Sequence, residues 1–421
     1  MGRLGESSLG HNALSMTTRL RDTSALAVGA ALSGVLAYLF FALVTHALGS
    51  VRAAPVSVLW AYWSFAGAAL TFPLQHWISR SVPAHGGERS VREALRSVIL
   101  VIVGVAVLAG GASWLARDLL FHSPEVWFPV LVAAVTLGSA AMGVVRGVLT
   151  ARRRFTAVGV GLVAENAIRC LAAAALMIAG VRDPVAYGVC LLVGYVAVLA
   201  WPSSFRLGRT GSPRGEESPL TFLGGAAGGQ LIGQAVLTGG PVVLALAGGS
   251  ARDITALFAG LALFRAPYTL ALGLVSQLTG RFTWLVVQRQ QDALRRIRVW
   301  LVGLTVVGAA GAALVGAVAG PPLLRLVFGD DVTLPSRLTL VLAVGSTVAM
   351  ANLVVTLVVL AHGRTPALIR SWALALVPGV LWFVASGLPA LDRTCWAFLV
   401  VEVAAFGLLL LEEARGTARL R

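Results

Sequence analysis

The chain has 421 residues, of which 57% are hydrophobic and only 12% are charged, whereas a soluble domain carries about 25% charged residues. The mean hydropathy of +0.85 agrees with this imbalance. The composition excludes a water-soluble enzyme, a disordered chain and a conventional nucleic-acid-binding protein. All 33 basic residues are arginine, against 18 acidic residues. Where these arginines lie decides between a nucleic-acid surface and a membrane topology.

Twelve apolar runs are long enough to cross a bilayer as helices, since about 20 mostly apolar residues span its hydrocarbon core. In chain order they cover 25–48, 54–78, 97–116, 127–149, 157–180, 185–202, 220–248, 255–284, 299–320, 338–361, 366–387 and 395–411. The first run exceeds the apolar core of about 7–15 residues in a signal peptide, so we predict an uncleaved helix. The sequence therefore predicts an all-α polytopic membrane protein with about 12 transmembrane helices.

The arginines alternate between the two sides of this predicted topology. With a cytoplasmic N-terminus, 24 of the 33 arginines fall on the cytoplasmic side and seven on the other, while Arg169 and Arg265 lie within apolar runs. Cytoplasmic loops of membrane proteins are enriched in arginine, so we expect both termini in the cytoplasm. The Arg152-Arg153-Arg154 cluster then fixes topology and meets anionic lipid headgroups, and no nucleic-acid partner is expected.

Two short motifs suggest an internal repeat. Glu93-Ala94-Leu95-Arg96 precedes an apolar run that ends at Leu119-Leu120-Phe121, and Asp292-Ala293-Leu294-Arg295 precedes another that ends at Leu326-Val327-Phe328. Six helices per repeat would give two halves of the same topology; a chance match in an alanine- and leucine-rich chain is the alternative. The predicted division is a cytoplasmic segment 1–24, a six-helix bundle 25–202, a cytoplasmic linker 203–219, a second six-helix bundle 220–411 and a cytoplasmic tail 412–421.

Four ionisable side chains stand out within the apolar runs: Glu165, Arg169, Arg265 and Glu402. An ionisable group at a helix centre costs at least about 2.5–3.5 kcal/mol. Glu165 and Arg169 are four residues apart, so they share a helix face in the order that favours an ion pair. The pair is either a self-neutralising device for insertion or a cavity-facing site for substrate or a coupling ion. Arg265 has no acid at helical spacing, and Glu402 on the last run is its candidate partner.

Amides and helix breakers add a second group of candidates. Gln230 and Gln234 share one face of the seventh run, and Asn166 lies beside Glu165. Amides inside membranes hydrogen-bond between helices, but the two glutamines together also suit the wall of a sugar-binding cavity. The candidate helix bends, where a missing side chain or N–H loosens the helix, are Gly239, Gly240, Pro241 and Pro267.

No catalytic motif is found: the sequence has no GxSxG, HExxH, P-loop or dinucleotide fingerprint, and no histidine pair or cysteine motif at metal-ligand spacing. We therefore expect no enzyme, no metal and no cofactor. Uphill transport would then depend on an H⁺ or Na⁺ gradient or on the membrane potential.

Several segments resemble one family over nearly the whole chain. They are Leu48-Gly49 through Val58-Leu59-Trp60, Phe72-Pro73-Leu74-Gln75, Val145-Arg146-Gly147-Val148-Leu149, Arg152-Arg153-Arg154-Phe155, Glu165 to Arg169, Gly239-Gly240-Pro241-Val242-Val243, Phe264-Arg265-Ala266-Pro267 and Leu323-Leu324-Arg325-Leu326-Val327-Phe328-Gly329. The chain resembles the polysaccharide or oligosaccharide flippases, which are O-antigen flippase-like proteins of the multidrug/oligosaccharidyl-lipid/polysaccharide exporter superfamily. One departure is Gly240, where many relatives carry an acidic residue or asparagine before the proline.

The resemblance implies two six-helix bundles around a central cavity that opens alternately to each side of a bacterial cytoplasmic membrane. It also implies a lipid-linked glycan substrate on polyprenyl pyrophosphate, with glycosyltransferase or polymerase proteins of cell-envelope assembly as partners. On this view Arg169, Arg265 and Arg146 are headgroup candidates, and Glu165 and Glu402 are coupling or charge-pair candidates. A multidrug or cation antiporter of the same superfamily and a non-transporting subunit of a glycan-assembly complex are the alternatives.

Overall fold

The computed structural model describes residues 6–123, 125–212, 231–272 and 275–418, and the regular structure in these ranges is helical. Its helices are α1 Glu6–Arg52, α2 Ala54–Ala66, α3 Phe72–Ala84, α4 Arg89–Leu115, α5 Arg117–Phe121, α6 Trp127–Ala151, α7 Phe155–Ile178, α8 Pro184–Val193, α9 231–238, α10 Gly240–Leu246, α11 Ala251–Leu272, α12 Val275–Val287, α13 Gln291–Val318, α14 Gly320–Phe328, α15 Ser336–Ala361, α16 Thr365–Ala385 and α17 Ala390–Ala418.

The all-α membrane fold predicted from the sequence is confirmed. Within the described ranges, eight helices are long and apolar enough to cross a membrane. The other predicted runs contain interruptions or extend beyond the described residues. A π-helical turn divides the second, the sixth continues from α8 into the 3-10 segment Gly194–Ala200, and the seventh and eighth include residues 220–230 and 273–274, which lie outside the described residues.

The two proposed repeats place equivalent helices in equivalent surroundings. Among the eight apolar helices, α6 and α15 are the most buried, and α4 and α13 are the least buried. Each bundle therefore has one central helix and one helix whose apolar side chains face outward. The paired sequence motifs lie at the start of α4 and of α13, and again at the ends of the short helices α5 and α14, as a duplicated six-helix unit predicts.

The bundles meet at one end of the molecule through an aromatic cluster. Phe41 of α1 lies 4.5 Å from Phe258 of α11 and 5.5 Å from Phe328 of α14, measured between ring centroids. Trp60 of α2 lies 6.1 Å from both Phe41 and Phe258. These four buried rings, which we call the outer aromatic cluster, close the space between the bundles at the end that the predicted topology places outside.

A polar contact ties the bundles together beside that cluster. The backbone N–H of Ser50 donates to the Asp331 carboxylate at 2.6 Å. Gly49 makes the contact possible, because its φ of 72° breaks the helical path of α1 there and glycine adopts that conformation without steric penalty. A Cβ at this position would also lie 3.0 Å from the same carboxylate oxygen.

The second span contains a π-helical turn, Gly67–Thr71, between α2 and α3. A π turn absorbs one extra residue into a helix and is frequent at functional sites. Here the Thr71 hydroxyl donates to the carbonyl of Ser139 on α6 at 2.8 Å, so the widened turn is anchored to the central helix of its bundle.

The start of the predicted linker, residues 203–212, packs against the first bundle. Glu88 accepts hydrogen bonds from the Nε and Nη2 of Arg152 at 2.7 and 3.0 Å, and from the N–H of Gly208 at 2.7 Å. The backbone N–H of Arg89 donates to the carbonyl of Thr210 at 3.1 Å. These contacts join the α3–α4 loop, the end of α6 and the linker up to residue 212.

Acid is expected to release this anchor. The hydrogen bonds from Arg152 lower the pKa of Glu88 below its ordinary value of 4.5, and the Gly208 N–H acts in the same direction. A lowered folded-state pKa stabilises above the unfolded value, and this stabilisation is lost as pH falls through the folded-state pKa. A nitroxide on a cysteine at Arg209 should therefore be immobile at pH 7 and gain mobility only below about pH 4.5.

The Glu88→Gln variant should free the same label at pH 7. The control is Asp118→Asn, which alters an exposed acid of α5 beyond the other end of α4 and should leave the spectrum unchanged. An immobile label in Glu88→Gln at pH 7 would show that Glu88 does not hold the linker.

Candidate functional site

Two adjoining cavities lie between the bundles. The first, of about 320 Å³, reaches the outer aromatic cluster, and the second, of about 460 Å³, extends toward the opposite ends of α3, α12 and α15. The side chains that line both include Arg146, Gln234, Leu237 and Tyr268. Because the aromatic cluster closes one end, the paired cavities form a pocket that is sealed on the predicted outer side.

A buried charge cluster borders the first cavity. One oxygen of Glu165 accepts from Nη2 of Arg169, and the other accepts from Nη2 of Arg146, each at 2.5 Å. The pair of Glu165 and Arg169 is the one that the i, i+4 spacing predicts. Arg146 comes from α6, the neighbouring helix, and is a second partner that spacing along one helix does not reveal. The cluster therefore carries one more positive than negative charge.

Arg169, a headgroup candidate from the sequence, does not face the cavities. Its side chain is 0% exposed, and its nitrogens are engaged by Glu165, by the carbonyl of Leu191 at 3.0 Å and by the amide oxygen of Asn166 at 3.1 Å. The sequence could place Arg169 within the membrane but not on which side of α7 its neighbours lie. In this conformation Arg169 holds Glu165 instead of contacting substrate.

Two aromatic rings and a glycine explain how a guanidinium is buried here. The Arg169 guanidinium lies 4.4 Å from the ring centroid of Trp63 and 5.2 Å from that of Tyr195, within the range of cation–π attraction. Gly194 lets the 3-10 segment approach, because a Cβ there would lie 2.4 Å from Nε of Arg169. Sequence reasoning missed all three residues, whose role depends on contacts between helices.

Arg146 is the cluster member that reaches the cavities. It lines both of them, is 8% exposed, and its buried Nε has no hydrogen-bond partner among the described residues. Among the residues that the structure describes, it donates through Nη2 alone, to Glu165. Unused N–H groups on a buried guanidinium favour an acceptor from a bound solute, and an anion above all.

Arg265 also lines the first cavity, from the second bundle. It does not pair with Glu402 as the sequence suggested; its Nη1 donates to the carbonyl of Leu237 at 3.0 Å. The bend residues explain why that carbonyl is open. Its helical donor would be the N–H of residue 241, and Pro241 has none. α9 ends before Gly239, and α10 begins at Gly240.

Glu402 has a different partner, on the wall of the second cavity. The Asn352 amide of α15 donates to the Glu402 carboxylate at 2.7 Å and to its backbone carbonyl at 2.9 Å. One carboxylate oxygen of Glu402 and the amide oxygen of Asn352 are buried without a partner among the described residues. The pair thus presents two open acceptor oxygens.

The remaining candidates fall around the same space. The Asn166 amide donates to the Ser33 hydroxyl of α1 at 2.8 Å and lines the first cavity. Gln234 lines both cavities, whereas Gln230 lies outside the described residues. Pro267 is exposed within α11, two residues after Arg265. The described residues contain no cluster of side chains suited to hold a metal ion.

The sequence matches no protein-family model and no curated protein, but solved structures share its fold. A multidrug resistance MATE family transporter of the MOP superfamily in an inward-facing conformation is 16% identical, with 91% of this chain and 95% of that chain covered and a TM-score of 0.64. The eukaryotic MATE transporter AtDTX14 is 15% identical, with 96% and 99% covered and a TM-score of 0.60.

A third similar structure is a MOP superfamily transporter from Pyrococcus furiosus, for which a reverse polarity of the binding pocket is described as suggesting a different function. It is 12% identical, with 95% of each chain covered and a TM-score of 0.53. The chain is a multi-pass membrane protein that shares the fold of these MATE transporters, in which twelve transmembrane helices form two repeats; its described residues include eight helices long and apolar enough to cross a membrane.

Proposed function

We propose that the protein is an alternating-access exporter whose substrate occupies the two cavities between the bundles. The observation that carries this proposal is the asymmetry of the interface, with the bundles in contact at the outer aromatic cluster and separated by charged cavities elsewhere. In the predicted orientation this conformer takes up its substrate from the cytoplasmic side. The transporters named above support the same mechanism through their shared fold.

The charges around the first cavity favour an anionic substrate. Arg146 and Arg265 line it, and the carboxylate of Glu165, which also lines it, is already shared by Arg146 and Arg169. Binding a pyrophosphate there would neutralise the excess charge through charge-assisted and bidentate hydrogen bonds. Arg146 and Arg265, which lie on opposite bundles, are the proposed headgroup residues.

A lipid-linked oligosaccharide or polysaccharide precursor fits this site. Its pyrophosphate would lie between the two arginines and its glycan in the hydrated cavities lined by Gln234 and Asn166, with the polyprenyl tail in the bilayer. We place this flippase in a bacterial cytoplasmic membrane, with glycan-assembly enzymes as partners. The pocket of reverse polarity in the Pyrococcus furiosus transporter supports the idea that this fold accepts more than one class of substrate.

A multidrug or cation exporter is the second candidate, and the comparisons fit it at least as well. Similar solved structures are described as multidrug transporters. Within this chain, the open carboxylate oxygen of Glu402 in the second cavity favours an organic cation. The same oxygen, with the open amide oxygen of Asn352, is also our proposed site for a coupling H⁺ or Na⁺.

Transport in proteoliposomes distinguishes these functions. For a flippase, Arg146→Gln and Arg265→Gln should each slow the flipping of a fluorescent sugar on polyprenyl pyrophosphate by about ten-fold or more, since a charge-assisted hydrogen bond contributes about 1.5–3 kcal/mol. Arg92→Gln, an exposed arginine of α4 outside both cavities, is the matched control.

The alternatives have their own signatures in this assay. Export of ethidium that is abolished by Glu402→Gln but not by the arginine variants would favour the multidrug function. Transport of neither probe by folded protein would favour the non-transporting subunit. Full flipping activity in both arginine variants would contradict the headgroup site.

A further inference from the structure

One guanidinium in the cavity is held by a carbonyl that a proline leaves open. In a regular helix the carbonyl of Leu237 would accept the N–H of residue 241. Pro241 cannot donate, although the bonds on either side of it persist, from Gly239 N–H to Ala235 at 2.7 Å and from Val243 N–H to Gly239 at 2.9 Å. The Leu237 carbonyl therefore lies within a break between α9, which ends at residue 238, and α10, which begins at Gly240.

That carbonyl faces α11 and accepts from Nη1 of Arg265 at 3.0 Å. Both residues line the first cavity, and Leu237 itself is 3% exposed, so without Arg265 its carbonyl would lose the donor that replaces the missing helical N–H. Buried carbonyls without a partner are costly. The contact thus gives the Leu237 carbonyl at the end of α9 a hydrogen-bond donor. It also fixes the direction of the Arg265 side chain, whose other N–H groups remain for the cavity.

We propose that Pro241 is a positioning residue for anion binding: by withholding its N–H, it leaves the Leu237 carbonyl to hold Arg265 in the cavity and braces the seventh span against the eighth. This inference rests on the proposed function, because it gives Arg265 an anionic group to bind. A bound anion would accept from the guanidinium N–H groups that the Leu237 carbonyl leaves free, beside the helix bend between α9 and α10.

A double-mutant cycle tests the brace without any substrate. Arg265→Gln should lower the unfolding temperature in the wild-type background, because the Leu237 carbonyl loses its donor. In Pro241→Ala the restored N–H fills that carbonyl, and Arg265→Gln should then cost at least about two degrees less. If Arg265→Gln lowers the unfolding temperature equally with and without Pro241→Ala, the proposal is overturned. Pro378→Ala, which restores an N–H in the exposed middle of α16, is the matched control and should show no coupling to Arg265.

Calorimetric titration with inorganic pyrophosphate separates positioning from mere support. Arg265→Gln should abolish pyrophosphate binding. Pro241→Ala should weaken binding about five-fold, because Arg265 is no longer preorganised. In the Arg265→Gln background, Pro241→Ala should have no further effect. If the two substitutions are coupled in unfolding temperature but Pro241→Ala leaves the pyrophosphate affinity unchanged, the positioning role is overturned. Wild-type protein that shows the coupling but binds no pyrophosphate would instead contradict the anionic substrate and leave the brace standing.

Discussion

Glu165→Ala is expected to be the most destabilising single substitution in the charge cluster, lowering the free energy of unfolding by about 3–5 kcal/mol. The reason is that Arg146 and Arg169 would both lose their carboxylate, and Arg169 is fully buried. Thermal unfolding of the detergent-solubilised protein measures the effect. Glu125→Ala, which removes an exposed acid from the α5–α6 loop, should leave the unfolding temperature nearly unchanged.

A second substitution shows whether unpaired charge is the cause. Adding Arg169→Met to Glu165→Ala removes the deeper guanidinium, so the double variant should be more stable than Glu165→Ala alone, because the effects of residues in contact are not additive. If the double variant lost the sum of the two single effects, packing around Trp63 and Tyr195 rather than charge pairing would determine the stability of this site.

Phe41→Ala is expected to open the molecule on the side that is closed here. Truncating a buried phenylalanine costs about 3–5 kcal/mol, and Phe41 contacts Phe258 and Phe328 of the other bundle. Those contacts exist only while the bundles meet at that end, so their loss should favour the outward-open state. A membrane-impermeant thiol reagent, added outside, should then react at least about ten-fold faster with a cysteine introduced at Ser64 in the first cavity.

Phe128→Ala provides the matched control. Phe128 is also fully buried and its ring stacks on Phe121 at 5.1 Å, but both rings belong to the first bundle. Its loss should therefore destabilise that bundle without raising the reaction rate at Ser64. Equal acceleration by the two variants would mean that general loosening, and not the interface between the bundles, governs access.

The fold could be predicted from the sequence because a bilayer imposes simple rules on length and charge. About 20 apolar residues make a span, arginine marks the cytoplasmic loops, and four-residue spacing puts Glu165 and Arg169 on one helix face. None of these rules says which neighbouring helix a face will meet. Arg146 lies on a separate helix from Glu165, so their contact depends on how α6 packs against α7.

The partners of two arginines at the site depend on packing between helices. The sequence leaves open whether the Glu165–Arg169 pair faces the cavity, and it gives Glu402 as the candidate partner of Arg265. In the structure Arg169 turns toward Trp63 and Tyr195, and Arg265 reaches a carbonyl instead of a carboxylate. The chemistry of Pro241 predicts from sequence alone that the Leu237 carbonyl is open; only the packing of α9 against α11 identifies its donor.

The π-helical turn at Gly67–Thr71 sets the rotational phase of the whole second span. At about 100° per residue, the twelve steps from Trp63 to Gln75 would put these side chains about 120° apart around a regular helix. A π turn accommodates one extra residue, which reduces the difference to about 20°. Trp63 in the first cavity and Gln75 in the second therefore lie along one line. A single additional residue in the helix thus aligns the lining of both cavities, and the same span without it would turn Gln75 and His76 toward a different neighbour.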